Sequence, residues 1–352
     1  MADKIVWIAP QQSADRPLIG GKALNLIRLA GSGVAVPPGF ILTTQLFEDL
    51  VGQDRRNSIQ DILKKLPAFP SPPEIEQTSG QIKAALSTLR LDQEFTSIVI
   101  AGYQALAERT GQPIPTVAVR SSGTGEDDLF SSGAGIYDSF LGVRGVQALI
   151  ERIWACWLSV VNTRALLYWV KRGSPETTRM AVIVQEMVPA EASGVMMTIN
   201  PVNRDRSKMV IEAVWGLGEP LVRGEVNPDR FLIDKLEAFV ISANIAHKPT
   251  RLVSERSGEN SLITETTPPA LQDAACLTQE ALEQLISLGR RLETAFEVPL
   301  DIEFATCKGQ VYILQARAET SWAKGEPRVH GLSNQPIEQI VKTMLEMGKN
   351  KR

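Results

Sequence analysis

Cysteine and histidine are scarce in this 352-residue chain, and their scarcity removes several classes of chemistry. Three cysteines, Cys156, Cys276 and Cys307, are an odd number without C-x-x-C spacing, which argues against a disulfide framework or a structural zinc. Two histidines, His247 and His330, exclude His-rich metal sites and H-E-x-x-H chemistry. No apolar run approaches the length of a membrane span, and the run after M-A-D-K is too short for a signal peptide. The default expectation is a cytoplasmic protein. Charge of one sign is also lacking: 37 basic against 40 acidic residues leave −3, so neither nucleic acid nor membrane is expected as a partner. What is present is ordinary for a globular chain, with 43% hydrophobic and 22% charged residues and length enough for about two lobes.

Helix and strand signals alternate along the chain. Ala23, Leu26, Ile27 and Ala30 give one helix face, and Val146, Ile150, Ile153, Trp157 and Val161 a longer one. Strand-like runs are 117–119, 180–188, 195–199, 209–214, 231–233, 300–304 and 311–316. Strands cluster after residue 180 without one helix per strand, which favours an α+β architecture of two lobes over a doubly wound sheet. The proline-rich stretch 65–79 reads as a loop between helices, and a helix is expected from about Ala270 to Phe296. Three divisions follow: a lobe over 1–184, a second over 185–320, and a linker and tail helix over 321–352. In the tail, Ile337, Ile340, Val341, Met344 and Leu345 recur at helical spacing. It either docks a partner or packs back on its own domain.

Four segments concentrate glycine and charge beyond what packing requires. I-G-G-K-A places Lys22 at a helix start, where backbone N–H groups can approach an anion, although the Walker A spacing is absent. A β-branched strand delivers Arg120 to a stretch, Ser121 to Gly135, with four serines and four glycines in fifteen residues. Such a loop can wrap a polyphosphate or serve as a linker. The apolar strand from Met180 turns polar at Gln185 and Glu186 before Pro189. L-D-I-E-F-A-T-C-K-G-Q-V-Y-I-L-Q-A-R reads as a hairpin turning at Lys308-Gly309. If Cys307 pairs with Val311, Glu303 lies opposite Gln315 and Asp301 opposite Arg317, all on one face. Two carboxylates and a carboxamide then make an oxygen cluster suited to Mg²⁺, or else a salt-bridge ladder.

The ordered set G-G-K-A-L-N-L, V-P-P-G-F-I-L-T-T, V-R-S-S-x-x-x-E-D, V-Q-E-M-V, S-G-V-M-M-T-I-N-P, E-A-V-W-G-L-G-E and D-I-E-F…I-L-Q-A-R resembles the nucleotide-binding domain of the phosphoenolpyruvate synthase and pyruvate phosphate dikinase family. The resemblance spans about residues 15 to 320 and implies a two-lobed ATP-grasp-type fold closing on ATP and Mg²⁺. It implies that Lys22 and Arg120 hold phosphates and that Gly135 and Ser139 belong to the closing loop. Gln185, Glu186 and Val188 would meet adenine at the hinge. Asp301, Glu303 and Gln315 would bind metal, with Arg317 acting on the transferred phosphoryl.

Two departures stand out. Arg317 is followed by Ala318, Glu319 and Thr320 where the family reads P-I-T, and Gly133, Ile136 and Tyr137 replace a Phe and two Gln in the loop. Neither histidine lies in the T-S-H-A-like context through which the family passes phosphate. The resemblance therefore implies an ATP-binding subunit that splits ATP to AMP and phosphate and sends the β-phosphoryl to a histidine-bearing phosphotransfer subunit. From there it would reach a small-molecule acceptor, with phenol as first expectation, by analogy with phenylphosphate synthase, and pyruvate as the alternative. A non-catalytic nucleotide sensor is the other class in play.

Overall fold

The computed structural model describes residues 4–67, 69–89, 91–125, 135–171, 179–254 and 262–319. Its strands sort into two antiparallel sheets and a ribbon. The first sheet holds β1 (Ile5–Trp7), β2 (Gly39–Leu42), β3 (Thr116–Gly123), β4 (Ser139–Arg144) and β5 (Met180–Glu186), in the order β1-β2-β5-β3-β4. The second holds β6 (Ala192–Met197), β7 (Lys208–Trp215), β8 (Asp229–Asp234) and β9 (Phe239–Asn244), then β12 (Leu300–Cys307) and β13 (Gln310–Ala318), in the order β13-β12-β6-β7-β8-β9. β10 (Thr250–Ser254) and β11 (Leu262–Thr266) pair as the ribbon. This is the α+β, two-lobed arrangement expected. The chain passes from first to second sheet between Glu186 and Ala192, slightly beyond the expected division after residue 184.

The helices are α1 (Arg16–Gly31), α2 (Thr44–Val51), α3 (Gln53–Lys64), α4 (Pro72–Ser87), α5 (Gln93–Thr110), α6 (Val146–Leu158), α7 (Thr163–Lys171), α8 (Glu219–Val222), α9 (Pro269–Gln272) and α10 (Gln279–Phe296). Two expectations need correcting. The stretch 65–79 is mostly helix, because Pro72 and Pro73 occupy the first helical positions, where a missing N–H costs nothing, and Ser71 with Glu74 forms a capping box. The helix expected from Ala270 breaks in two, and the second begins where the Thr278 hydroxyl caps the Ala281 N–H. The tail, 320–352, lies outside the described residues.

Alternation along β3 and β5 organises the first lobe. Val117, Val119, Val182 and Val184 face one side, with Phe40, Phe95 and Trp157, in a core closed by α5 and α6. The opposite face carries Ile41, Ala181 and Ile183, in one apolar cluster with α1 residues Ile19, Ala23, Leu26 and Ile27. That cluster continues into Ile302, Phe304, Ile313 and Ala316 of the second sheet. The helix whose apolar face the sequence displays is thus the wedge between the two sheets. Burial of four such side chains supplies several kcal/mol, at roughly 1.5–3 kcal/mol each for the large ones.

α1 is not continuous. Gly20 takes φ 76°, and a Cβ there would stand 2.1 Å from the Ser122 carbonyl oxygen. Only glycine fits this approach. The Ser122 hydroxyl donates to the Ile19 carbonyl at 2.7 Å and accepts from the Ala23 N–H at 3.0 Å. A strand serine therefore satisfies the backbone groups that the kink releases. The kink leaves Lys22 in the first turn of the resumed helix.

Candidate nucleotide-binding site

Arg120 lies on the β3 face that looks toward α1 and the second sheet, since it pairs across the ladder with Ile183 and Ser139. Its guanidinium crosses to the second sheet. Nη2 donates to Glu303 Oε2 at 2.8 Å and to Gln315 Oε1, and Nη1 donates to the Leu314 carbonyl at 3.1 Å. Asp301 and Arg317 form the neighbouring pair, with Nε at 3.0 Å and Nη2 at 2.6 Å from Oδ2. The hairpin pairs Glu303 with Gln315 and Asp301 with Arg317, as expected from the sequence.

The route to that register differs from the expectation. Near the turn Cys307 pairs with Gln310 and Thr306 with Val311, one residue off the expected alignment. Lys308 and Gly309 take φ 51° and 76°, the left-handed pair of a two-residue hairpin turn. A bulge at Leu314 then shifts the register by one before Gln315. The reason is burial. Unbroken alternation would put Val311 and Ile313 on the face of Gln315 and Arg317, whereas both pack in the apolar cluster with Ile302, Phe304 and Ala316. The bulge lets the apolar half face the core while Gln315 meets Arg120 and Arg317 meets Asp301. It also presents the Leu314 carbonyl to Arg120. That parity conflict was the available signal for the bulge.

Electrostatics follow the pairing. Burial pushes the Glu303 carboxyl up, but the charge and hydrogen bond of Arg120, with Arg317 and Lys22 beyond, outweigh it and hold the group below the usual range. At Asp301 burial wins over Arg317, helped by the negative charges of Glu303 and Glu319, and the carboxyl is raised. Lys22 is 9% exposed, and its charge is felt at Glu303.

The residues expected to meet adenine lie at and just beyond the end of β5. Gln185 is 2% exposed, on the same face as Arg120, with Nε2 donating to the Pro37 carbonyl at 3.2 Å. Val188 is buried. Glu186 accepts from Gln112 Nε2, a contact the sequence did not suggest, and burial raises its carboxyl above the usual range despite that bond. Gln112 follows the left-handed Gly111 that ends α5, which fixes where its carboxamide is presented. Ser139 opens β4 directly opposite Arg120, and Gly135 takes φ 72° at the near edge of the loop. Residues 126–134 of that loop lie outside the described residues. The structure thus brings Arg120, Glu303, Gln315, Asp301 and Arg317 together across the lobes, with the charge of Lys22 reaching Glu303 and Gln185 on the Arg120 face, while Glu186 points to the opposite face toward Gln112.

The donor set can be tested against a divalent cation. Among the described residues no group of three or more His, Cys, Asp or Glu converges. Asp301 and Glu303 each commit one oxygen to an arginine, which leaves Asp301 Oδ1 and Glu303 Oε1, both hard donors, beside the Gln315 carbonyl oxygen. Mg²⁺ uses few protein ligands and completes its shell with water and phosphate, so these residues fit it.

Where the two sheets meet, two arginines interleave with two carboxylates and a carboxamide, and the charge of Lys22 reaches Glu303, a set of groups that a polyphosphate and its cation can use. The sequence matches the family described as pyruvate phosphate dikinase, AMP/ATP-binding domain, over residues 16–334, and the chain belongs to that family. It is 31% identical over 324 residues to a probable phosphoenolpyruvate synthase of Methanocaldococcus jannaschii, covering 92% of this chain and 27% of that protein. It is 32% identical over 349 residues to the phosphoenolpyruvate synthase of Aeropyrum pernix, covering 91% of this chain and 43% of that one. The chain therefore spans less than half the length of these relatives. Among solved structures, the D-alanine–D-alanine ligase of Bacillus anthracis is similar with a TM-score of 0.24 and 12% identity, over 74% of this chain and 69% of that one. No helix among the described residues is long and apolar enough to cross a membrane.

Proposed function

We propose that this chain is the ATP-binding part of a dikinase-type phosphotransferase, in which ATP yields AMP and phosphate and its β-phosphoryl passes to a histidine. The observation that carries the reading is the convergence of Arg120 from one sheet on Glu303, Gln315 and Leu314 of the other. Phosphates lying between the sheets would meet Lys22 and Arg120, and adenine would meet Gln185, Glu186 and Val188 at the hinge. Asp301, Glu303 and Gln315 would hold Mg²⁺, whose bound charge neutralises phosphate oxygens. Arg317 serves the charge that develops on the transferred phosphoryl, where a fixed cation counts most.

On this reading the accepting histidine belongs to a partner subunit or a further domain. His247 is exposed, and its Nδ1 lies 2.8 Å from Asp273 Oδ1. It sits beside the ribbon and not at the arginine–carboxylate cluster. His330 lies outside the described residues. For the final acceptor, the names of the relatives favour pyruvate over phenol.

The test is the nucleotide product. Purified chain with MgATP should bind nucleotide yet release almost no AMP, and a histidine-bearing partner should start AMP formation and acquire an acid-labile phosphate. Steady ADP from the chain alone would mean a self-contained kinase. Glu303→Gln should cut partner-dependent turnover by orders of magnitude while leaving the fold intact, since an anionic ligand is lost.

A further inference from the structure

We infer that Arg120 and the divalent cation are alternative occupants of the Glu303–Gln315 donor pair, and that nucleotide phosphate is the group that draws Arg120 off it. The inference rests on the function proposed above and adds to it the way the site is kept before nucleotide arrives.

The contacts carry the argument. One nitrogen, Arg120 Nη2, bonds both Glu303 and Gln315, the same side chains that suit a hard cation. Nη1 adds the Leu314 carbonyl, so three acceptors on two neighbouring strands converge on one guanidinium. This is more than a surface salt bridge, since the side chains of Arg120 and Glu303 are 13% and 29% exposed and Gln315 is buried. A charge so placed must be paired, because an uncompensated one carries a large desolvation cost. Without nucleotide, Arg120 and Glu303 compensate each other. A divalent cation entering at Glu303 and Gln315 would find a guanidinium in contact with both, and like charges at that separation repel strongly in a site shielded from water.

Phosphate changes the balance. It offers a guanidinium the bidentate, doubly charged partner that this group prefers, so Arg120 can leave Glu303 without being stranded. Glu303 is then an unpaired carboxylate, which a metal can compensate. Each step supplies the partner that the other removes. Binding of metal and nucleotide are therefore coupled through a protein side chain, in addition to any direct metal–phosphate contact, and the coupling is reciprocal.

Direct metal–phosphate contact would also make nucleotide tighten metal binding, so the decisive measurement is metal affinity without nucleotide. Mn²⁺ binding to the full chain is read by electron paramagnetic resonance for the unaltered protein, Arg120→Leu, Arg120→Gln and Lys22→Gln. Both Arg120 variants should bind Mn²⁺ alone at least tenfold more tightly than the unaltered protein, although each loses nucleotide affinity. Lys22→Gln removes a like charge that acts on Glu303 at longer range and should change Mn²⁺ affinity less than threefold. Arg120→Gln keeps a hydrogen-bonding side chain for Glu303 and covers the case in which Arg120→Leu does not fold. If the unaltered protein binds MgATP, Arg120 variants that fold yet bind Mn²⁺ no tighter than it does would overturn this inference alone. An unaltered protein that binds no MgATP would overturn the proposed function and this inference with it. In the unaltered protein, the Arg120 Nε–H signal in ¹⁵N spectra should move with ADP in chelator and stay in place with Mg²⁺ alone. Movement with Mg²⁺ alone would equally overturn it.

Discussion

Arg120 and Glu303 are 183 residues apart in sequence and 2.8 Å apart in the folded protein. The pair is the polar counterpart of the α1 wedge: both join the first sheet to the second, one through charge and one through apolar burial. On the function proposed above, the same contact that joins the lobes occupies the ground where phosphate and metal would meet.

Lys22→Ala should weaken nucleotide binding by about 1.5–3 kcal/mol, the worth of a hydrogen bond to a charged group. The kink at Gly20 sets Lys22 in the first turn of the resumed helix, where the backbone N–H groups also favour an anion. Calorimetry with ATP measures this directly, and unchanged affinity would remove Lys22 from the phosphate site.

Ser122→Ala tests the kink itself. It strips a donor from the Ile19 carbonyl and an acceptor from the Ala23 N–H, both buried, and should cost about 1–3 kcal/mol of stability in denaturant unfolding. Gly20→Ala should be worse, since its Cβ would run into the Ser122 backbone. A Ser122→Ala protein as stable as the original would mean that water satisfies both groups.

Trp169 holds both ends of the glycine-rich loop. Its ring lies where a Gly125 Cβ would stand, at 2.3 Å, and its Nε1 donates to the Tyr137 hydroxyl at 2.9 Å. Trp169→Phe keeps apolar bulk and loses that bond, so it should weaken nucleotide binding by roughly 0.5–1.5 kcal/mol with little change in melting temperature. A fall in melting temperature with affinity intact would assign Trp169 to packing alone.

Glu186 gives a pH signature. Its folded carboxyl is raised by burial, with Gln112 opposing, so the folded protein keeps a proton that the unfolded chain has already released. The stability this group contributes is complete below the unfolded carboxylate range and is lost as pH rises through the folded value. Glu186→Gln removes that loss. Its melting temperature relative to the unaltered protein should therefore rise between pH 4 and pH 7. The same difference at both pH values would show that Glu186 is solvated as in the unfolded chain.

The sequence by itself determined much of this protein. The strands around Val117 and Met180 and the apolar face of α1 follow from runs of β-branched residues and a period of 3.6, and Asp301 and Glu303 fall on one face of their strand by a period of 2, all local properties. Short edge strands such as Ile5–Trp7 and Ser139–Arg144 carry too few residues for a pattern to emerge, and partners supply their hydrogen bonds from afar. Tertiary structure decided three features of the site, of which the sequence carried a signal only for the first, in the parity conflict along 311–317. The Leu314 bulge arises because two halves of one strand must bury opposite parities against one core. The Gly20 kink exists because Ser122, brought in by another strand, satisfies what the break exposes. The Arg120 contact with Glu303 and Gln315 requires the two sheets to meet around α1, and no local pattern in residues 120 or 303 encodes the distance between them.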